Sequence, residues 1–445
     1  MEPAELDQLS NEAPTRGSQL FWPFEIRSNG IRTLVVEPSI YAPALHGNLF
    51  TELIVAAFAP VGRGGNPSPG RAGLPGFDLM SFPEAFIDAD TLVQTLEFVK
   101  GQTAASIFHV GLRSGLGRHH LFTVDETVAL VKALRALQPD RLGDLDAFEA
   151  WLSGVENDGH FNLACMFAID ADKQLRICLH PKNTPSPFEQ AVLPEQTMTS
   201  AQFAAVVILV PRDKHYRKVY IQPVICSDLV SLRTSLSGPG PIAVITLEAE
   251  RLGEDPPDQI DIVSAVTCTP QVDVNNNKNL PVDLQWQPKF RATFEAAIKD
   301  PMYARHSKAM FVLSNVRRTP PSKDAAGDEV PGDDYGLSGI FVPVKPAPTP
   351  SAPGSKTWMW GRSGDRDREW KLANDGQVGF KASAQLLTIH PDVADETAAA
   401  RIMRTTVPVL PRFQQDDAAQ GPIEVSVMVW LVNPGRAVAV EALDD

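Results

Sequence analysis

Three short stretches of this chain each end an apolar run in a polar group that can do chemistry. Ser81-Phe82-Pro83-Glu84-Ala85-Phe86 delivers a carboxylate. Leu179-His180-Pro181-Lys182 delivers an ammonium, and a proline-braced loop after it, Pro185-Ser186-Pro187-Phe188-Glu189, holds a second carboxylate. Val224-Ile225-Cys226-Ser227-Asp228-Leu229 stops a hydrophobic strand at a thiol and turns. If the three strands are neighbours, these groups meet at one edge of a sheet, where α/β proteins usually place their sites. A thiolate is the nucleophile in such a set, and a nearby ammonium favours it. A carboxylate takes the thiol proton and later hands it to a leaving amine. The lysine, together with the backbone N–H of the residue after the cysteine, holds the oxyanion of a tetrahedral intermediate. The chemistry is acyl transfer from a C–N bond to sulfur, then to water.

Taken singly, each group has a plainer reading. A cysteine at a strand end is most often an inert buried thiol, and Cys165 and Cys178, inside hairpin strands, read that way. Glu84 alone would cap the helix that follows, and Lys182 alone would be a solvated loop charge. The order and local context of the three together lift Cys226 out of the inert class. Other clusters stay plain. His119-His120 beside Arg118 reads as a solvated loop pair, not a metal or anion site. Residues 111–117 (GLRSGLG) lack the Lys-Ser/Thr end of a phosphate loop and read as a turn. The acidic stretches 254–261 and 324–334 lack the alternating ligands of a calcium loop. None of the four cysteines forms a CxxC pair or a zinc-spaced cluster. No metal and no cofactor is expected.

The elements that must position these groups follow from periodicity. Apolar strands are predicted at residues 31–40, 77–82, 106–112, 204–209, 218–226, 242–247, 260–267, 309–314, 338–344, 378–390 and 425–432. A hairpin is predicted over 161–179, with the polar turn ADKQ between its strands. Helical spacing marks 90–99, 124–137 and 290–299, and 140–159 is a charged, helix-like connection. Residues 61–76 are a Gly/Pro loop, and 343–354 are Pro-rich and extended. Alternating strands and helices with hairpins among them indicate an α/β protein with a mixed sheet flanked by helices.

The order of the motifs, FPE, then a lysine closing a hairpin, then ICxD, resembles the carbon–nitrogen hydrolase (nitrilase) superfamily, whose members carry a Glu-Lys-Cys triad in that order. Asn162-Leu163-Ala164 is similar to the family's N-x-A strand, residues 286–298 to its late helix, 311–315 (FVLSN) to the strand after it, and 336–340 (GLSGI) to its G-x-S strand. The resemblance covers roughly residues 30–392. It implies an α-β-β-α sandwich with inserted loops, assembled into dimers or larger homo-oligomers. Carried over, Glu84 is the general base, Lys182 the oxyanion lysine and Cys226 the nucleophile. Glu189 positions substrate, Ser227 belongs to the substrate-binding turn, and Asp228 orients that turn. The flanks depart from the family: Pro181 stands before the lysine, and neither a glycine ahead of Cys226 nor an R-F-P run behind it is present. The implied activity is hydrolysis of a small amide or nitrile at a non-peptide C–N bond. The alternative implication is a nitrilase-like interaction or sensing subunit, of the kind that accompanies reverse transcriptases in antiphage systems, with its insertions facing a protein partner.

Bulk properties set the outer limits. A formal charge of −14 repels phosphate backbones, so nucleic acid is not an expected partner. The 43 % hydrophobic content suffices for a large core. No run approaches the roughly 18 apolar residues of a membrane span, and residues 1–17 are polar, so a cytoplasmic protein with reduced thiols is expected. The expected organisation is an arm over 1–28, a catalytic domain over 29–395 and a C-terminal extension over 396–445, whose apolar run at 425–432 suits an interface.

Overall fold

A computed structural model describes residues 79–102, 107–115, 120–138, 143–169, 173–186, 189, 197–211, 219–229, 260–268, 305–306 and 309–316. It also describes strands at 16–26, 33–38, 339–341, 400–408 and 424–432 and short pieces between these. The strands over 242–247 and 378–390 and the helix over 290–299 expected from the sequence lie outside the described residues.

Two large mixed sheets carry the molecule. The six-stranded sheet contains β1 (Arg16–Ile26), β10 (Gln202–Pro211), β11 (Val219–Ile225), β12 (Ile262–Val266), β13 (Met310–Ser314) and β14 (Gly339–Phe341), neighbours in that order. The eight-stranded sheet runs β15 (Ala400–Pro408), β16 (Glu424–Val432), β2 (Thr33–Pro38), β3 (Leu79–Ser81), β5 (Ile107–Arg113), β8 (Leu163–Ile169) and β9 (Leu175–Pro181). The short β4 (Ile87–Asp88) pairs with β5, and β6 (Phe122–Thr123) and β7 (His160–Phe161) form a separate pair. Parallel β2, β3 and β5 lie beside the antiparallel β5–β8–β9 meander, which is the mixed sheet expected from alternation plus a hairpin. The strand pairings carry two sequence segments into the sheets: part of residues 1–28 as β1 on β10, and 424–432 as β16 on β2.

Three described helices supply the α layer: α1 (Ala89–Val99), α2 (Val124–Leu137) and α3 (Asp146–Ser153). Asp88 caps α1 by accepting from the Thr91 N–H at 2.8 Å. Thr123 and Glu126 form a capping box at the start of α2. Every residue of β8 and β9 is buried, so both faces of that part of the sheet are covered. The sheets also touch each other directly. The Ser314 hydroxyl on β13 donates to the Val36 carbonyl on β2 at 2.7 Å, and His109 Nδ1 on β5 lies 2.8 Å from Ser264 Oγ on β12. The architecture shown is therefore mixed α/β with several sheets. The expected α-β-β-α sandwich is not shown by the described residues. No helix among the described residues is long and apolar enough to cross a membrane.

The contact between the sheets has an electrostatic condition. His109 Nε2 and His180 Nε2 are 3.1 Å apart and both rings are buried, so one nitrogen donates, the other accepts, and both rings stay neutral. Burial pushes His180 down to about 3 and, with the neighbouring His180, pushes His109 well below the usual histidine range. Buried His306 is likewise pushed down to about 3 by burial. Below the ordinary histidine pKa the unfolded chain takes up protons that these folded rings refuse. Stability is then complete above about pH 6.5 and lost as pH falls. Asp228, pushed up to about 7 by burial, takes up a proton on folding in the same window and offsets one of the three histidines. Urea midpoints should be flat above pH 7 and fall toward pH 4.5, each uncompensated proton costing about 1.4 kcal/mol per pH unit. His180→Gln should flatten that decline; an unchanged slope would remove the pair from the account.

Candidate active site

Glu84 is placed by a backbone that leaves β3 and runs along β5. The Phe82 N–H donates to the His109 carbonyl at 2.8 Å, the Gly111 N–H to the Pro83 carbonyl at 3.0 Å, and the Phe86 N–H to the Gly111 carbonyl at 2.9 Å. Ala85 turns the chain at φ +51°. Phe82 and Phe86, both buried with ring centroids 5.5 Å apart, anchor the two sides of the carboxylate. The Glu84 N–H reaches the other sheet, donating to the Thr267 carbonyl at 3.2 Å. This close approach needs a residue without a side chain on β5: a Cβ at Gly111 would stand 2.3 Å from Glu84 Cα and 2.7 Å from the Pro83 carbonyl oxygen.

Lys182 extends the β8–β9 hairpin by one step, its N–H donating to the Asn162 carbonyl at 2.8 Å. Its buried ammonium stands 3.0 Å from Glu84 Oε1 and 2.8 Å from Glu189 Oε2. Asn162 Nδ2 donates to Glu84 Oε1 at 2.7 Å and to Glu189 Oε1 at 2.8 Å. Glu189 Oε1 also lies 3.0 Å from His120 Nε2, and its Oε2 accepts the Ser186 N–H at 2.7 Å. Glu84 Oε2 accepts the Cys268 N–H at 2.9 Å. Burial alone would lower the Lys182 pKa, but Glu189 and Glu84, with the Cys226 sulfur, hold it well above the usual lysine value. Burial alone would raise Glu189, but the Lys182 charge and His120 hold it well below the carboxylate range. An ionised lysine thus sits between buried carboxylates.

The two carboxylates carry unequal loads. A carboxylate has about four lone-pair sites. Among the described residues Glu189 has four partners, Lys182, Asn162, His120 and the Ser186 N–H. Glu84 has three, two of them on Oε1. Glu189 is a saturated, fixed anion, whereas Glu84 Oε2 keeps capacity for one more proton donor.

Cys226 follows β11 directly, at φ +46°, and opens a 3-10 turn over Cys226–Leu229. It is 5 % exposed and packs with Ala164, Ile225 and Val266. Asp228 ties this turn to the chain after Lys182. Its carboxylate accepts the N–H groups of Thr184 at 2.7 Å, Asn183 at 3.0 Å and Ile225 at 3.3 Å. The Ser227 hydroxyl donates to the Thr184 carbonyl, so the side chain expected to face substrate is engaged by the neighbouring loop. Burial pushes the thiols of Cys165 and Cys178 up, as inert core cysteines require. The structure therefore brings Glu84, Lys182 and Glu189 into direct contact and sets the Cys226 turn beside them through Asp228.

Four contributors escaped the sequence reading. His119-His120 read as solvated, yet His120 binds Glu189. Gly111 read as part of a turn and lies in β5. The Cys268 N–H left no trace in side-chain types. Asn162 was legible in principle: the hairpin register pairs Leu163 with Pro181 and Ile169 with Leu175, and one further step sets Asn162 opposite Lys182. Glu84, His120 and Glu189 also offer ligand atoms within 4.8 Å of one another. The Lys182 ammonium already occupies the cation's place between both carboxylates, so this donor set does not call for a metal ion.

No family model matches the chain, and no curated protein matches it. Among solved structures it is similar to an N-terminal amidase with an Asn-Glu-Ala peptide (TM-score 0.33, 7 % identity, 70 % of this chain and 90 % of that one). It is also similar to an N-terminal amidase with an Asn-Glu peptide (0.32, 8 %, 69 % and 89 %) and one with a Gln-Gly peptide (0.28, 6 %, 61 % and 55 %). In the last case the chain spans about half the length of its relative. These findings correct the family assignment drawn from the motifs. No carbon–nitrogen hydrolase model matches, and the structures found are N-terminal amidases rather than nitrilases. The site itself is defined by its geometry, with Lys182 between Glu84 and Glu189.

That geometry makes a sharp demand on Gly111. Gly111→Ala should displace the Glu84 backbone and cost about 1–3 kcal/mol or more in urea denaturation, as overpacking does. Gly115→Ala, where a Cβ meets nothing within 4 Å, should be close to neutral. Equal effects of the two substitutions would refute the assigned contact.

Proposed function

We infer that this chain is a cysteine-dependent amide hydrolase acting on small amides. The observation that carries the reading is the unequal pair of buried carboxylates on one lysine: Glu189 is saturated, while Glu84 retains an acceptor site. In this reading Glu84 Oε2 takes the proton of the Cys226 thiol, and the sulfur attacks the amide carbonyl carbon. The C=O π pair moves to oxygen, which Lys182 Nζ and the backbone N–H of Ser227 stabilise. The C–N bond then breaks as Glu84 returns the proton to the departing nitrogen, leaving a thioester on Cys226 and a free amine. Water enters, Glu84 takes one of its protons, and the hydroxide adds to the thioester. Collapse releases the carboxylic acid and restores the Cys226 thiol with the proton from Glu84. Glu189 works as a counter-charge: it keeps the lysine ionised and in place.

The test is intact mass after incubation with a panel of small primary and secondary amides, followed by turnover of any amide that leaves an adduct. An acyl adduct on Cys226 that clears with release of acid is expected. Cys226→Ala should abolish turnover, at a stability cost of about 0.5–3 kcal/mol. Lys182→Ala should lose roughly 100–1000-fold in rate. Glu84→Gln should stall the thiol in its protonated form. The three act as one unit, so combined variants should be no worse than the worst single one. Turnover that survives Cys226→Ala would end the nucleophile assignment.

A further inference from the structure

Asn162 hydrogen-bonds to Glu84, Lys182 and Glu189 alike. Its backbone carbonyl accepts the Lys182 N–H, and its one side-chain nitrogen donates to Glu84 Oε1 and to Glu189 Oε1. The amide orientation is fixed by chemistry, because the reverse would aim an oxygen at two carboxylates. The consequence is costly: Asn162 is fully buried, and its Oδ1 has no hydrogen-bond partner among the described residues. A buried acceptor left unmet is destabilising, because it has given up its water without a replacement. An apolar residue at this point of the hairpin would avoid that cost, so the residue is explained by what its two N–H groups do.

We propose that Asn162 is a positioning residue for the reaction, clamping Glu84 and Glu189 on either side of Lys182 so that Glu84 Oε2 is the oxygen left to handle protons. The proposal rests on the amide-hydrolase reading and deepens it. Two donors, Lys182 Nζ and Asn162 Nδ2, fill Glu84 Oε1. With Oε1 filled, the carboxyl group cannot rotate to exchange its oxygens without breaking both bonds. Removing the Asn162 amide leaves Lys182 Nζ as the one described donor on Glu84 Oε1, so the carboxyl group is free to turn and the Cys226 thiol loses its held proton acceptor.

The experiment reads the Cys226 thiol directly and needs no known substrate. Full-length protein is alkylated with iodoacetamide across about pH 5–9, and the Cys226 adduct is followed by intact mass with Cys226→Ala as the blank. Two variants are compared with wild type: Asn162→Asp, which keeps the shape but replaces the donors with a carboxylate, and Asn162→Ser, which keeps one short donor and adds no charge. The acid inflection of the alkylation profile should move to higher pH by about one unit in each, making alkylation on the acid limb about tenfold slower. A merely structural residue would lower the melting temperature without moving that inflection. If Asn162→Asp fails to fold, Asn162→Ser decides. Unmoved inflections in folded variants, with wild-type Cys226 reactive, overturn the positioning role and leave the hydrolase reading standing. A wild-type Cys226 no more reactive than the buried Cys165 and Cys178 overturns both.

Discussion

The arrangement depends on one buried cation, the Lys182 ammonium, shared by Glu84 and Glu189 at 3.0 and 2.8 Å. Removing a charge of this kind from water costs several kcal/mol, roughly, even after the protein relaxes, and good geometry on both sides has to offset it. Two anions around one cation leave an excess negative charge, which the surrounding N–H groups of Asn162, Ser186 and Cys268 disperse. Taking away one partner leaves a buried charge less well compensated, so the members of the cluster support one another. The rigidity that follows is what a reaction with developing charge on oxygen requires, since preorganised donors need no rearrangement as the charge appears.

The fold meets that requirement by bringing backbone, and not only side chains, into the contact. The strand delivering Glu84 lies against β5 so closely that only glycine fits at position 111. The lysine is the next rung of a hairpin ladder, and the cysteine turn is fastened to the chain after that lysine by the Asn183 and Thr184 N–H groups, which donate to Asp228. Lys182 and Cys226 sit one residue and Glu84 three residues beyond the end of a strand. There the ladder fixes position and the chain is free to turn, as the positive φ angles at Ala85 and Cys226 record.

Much of this was legible in the sequence, for definable reasons. Apolar runs gave β5, β8 through β12 and both strongly periodic helices α1 and α2, because burial on both faces leaves long uninterrupted hydrophobic stretches. Glu84, Lys182 and Cys226 could be picked out as polar groups ending such runs, and Glu189 as a carboxylate in the proline-braced loop after the lysine. What stayed hidden was interaction carried by backbone or by distant loops. The Cys268 N–H belongs to a residue 184 positions from Glu84. His120 stands among charged neighbours that read as solvent-facing, and Gly111 sat in a glycine-rich string that imitates a turn. The family read from the motifs did not hold, because three-residue signatures constrain local chemistry far more tightly than they constrain ancestry.

The parallel pairing of β2 with β16 has a kinetic side. Thr33 pairs with Val427, so two neighbouring strands of the Glu84 sheet lie almost the whole chain apart. During synthesis at about 5–20 residues per second, β2 waits on the order of a minute for its neighbour. Until then one side of it, next to the strand that leads to Glu84, is an unpaired edge able to recruit any extended segment. Closing that edge requires joining residues of very high sequence separation, which is intrinsically slow. The order in which the polypeptide emerges thus leaves the sheet that carries Glu84 incomplete longest, and recovery of native protein should be governed by that late closure more than by the stability of the finished core.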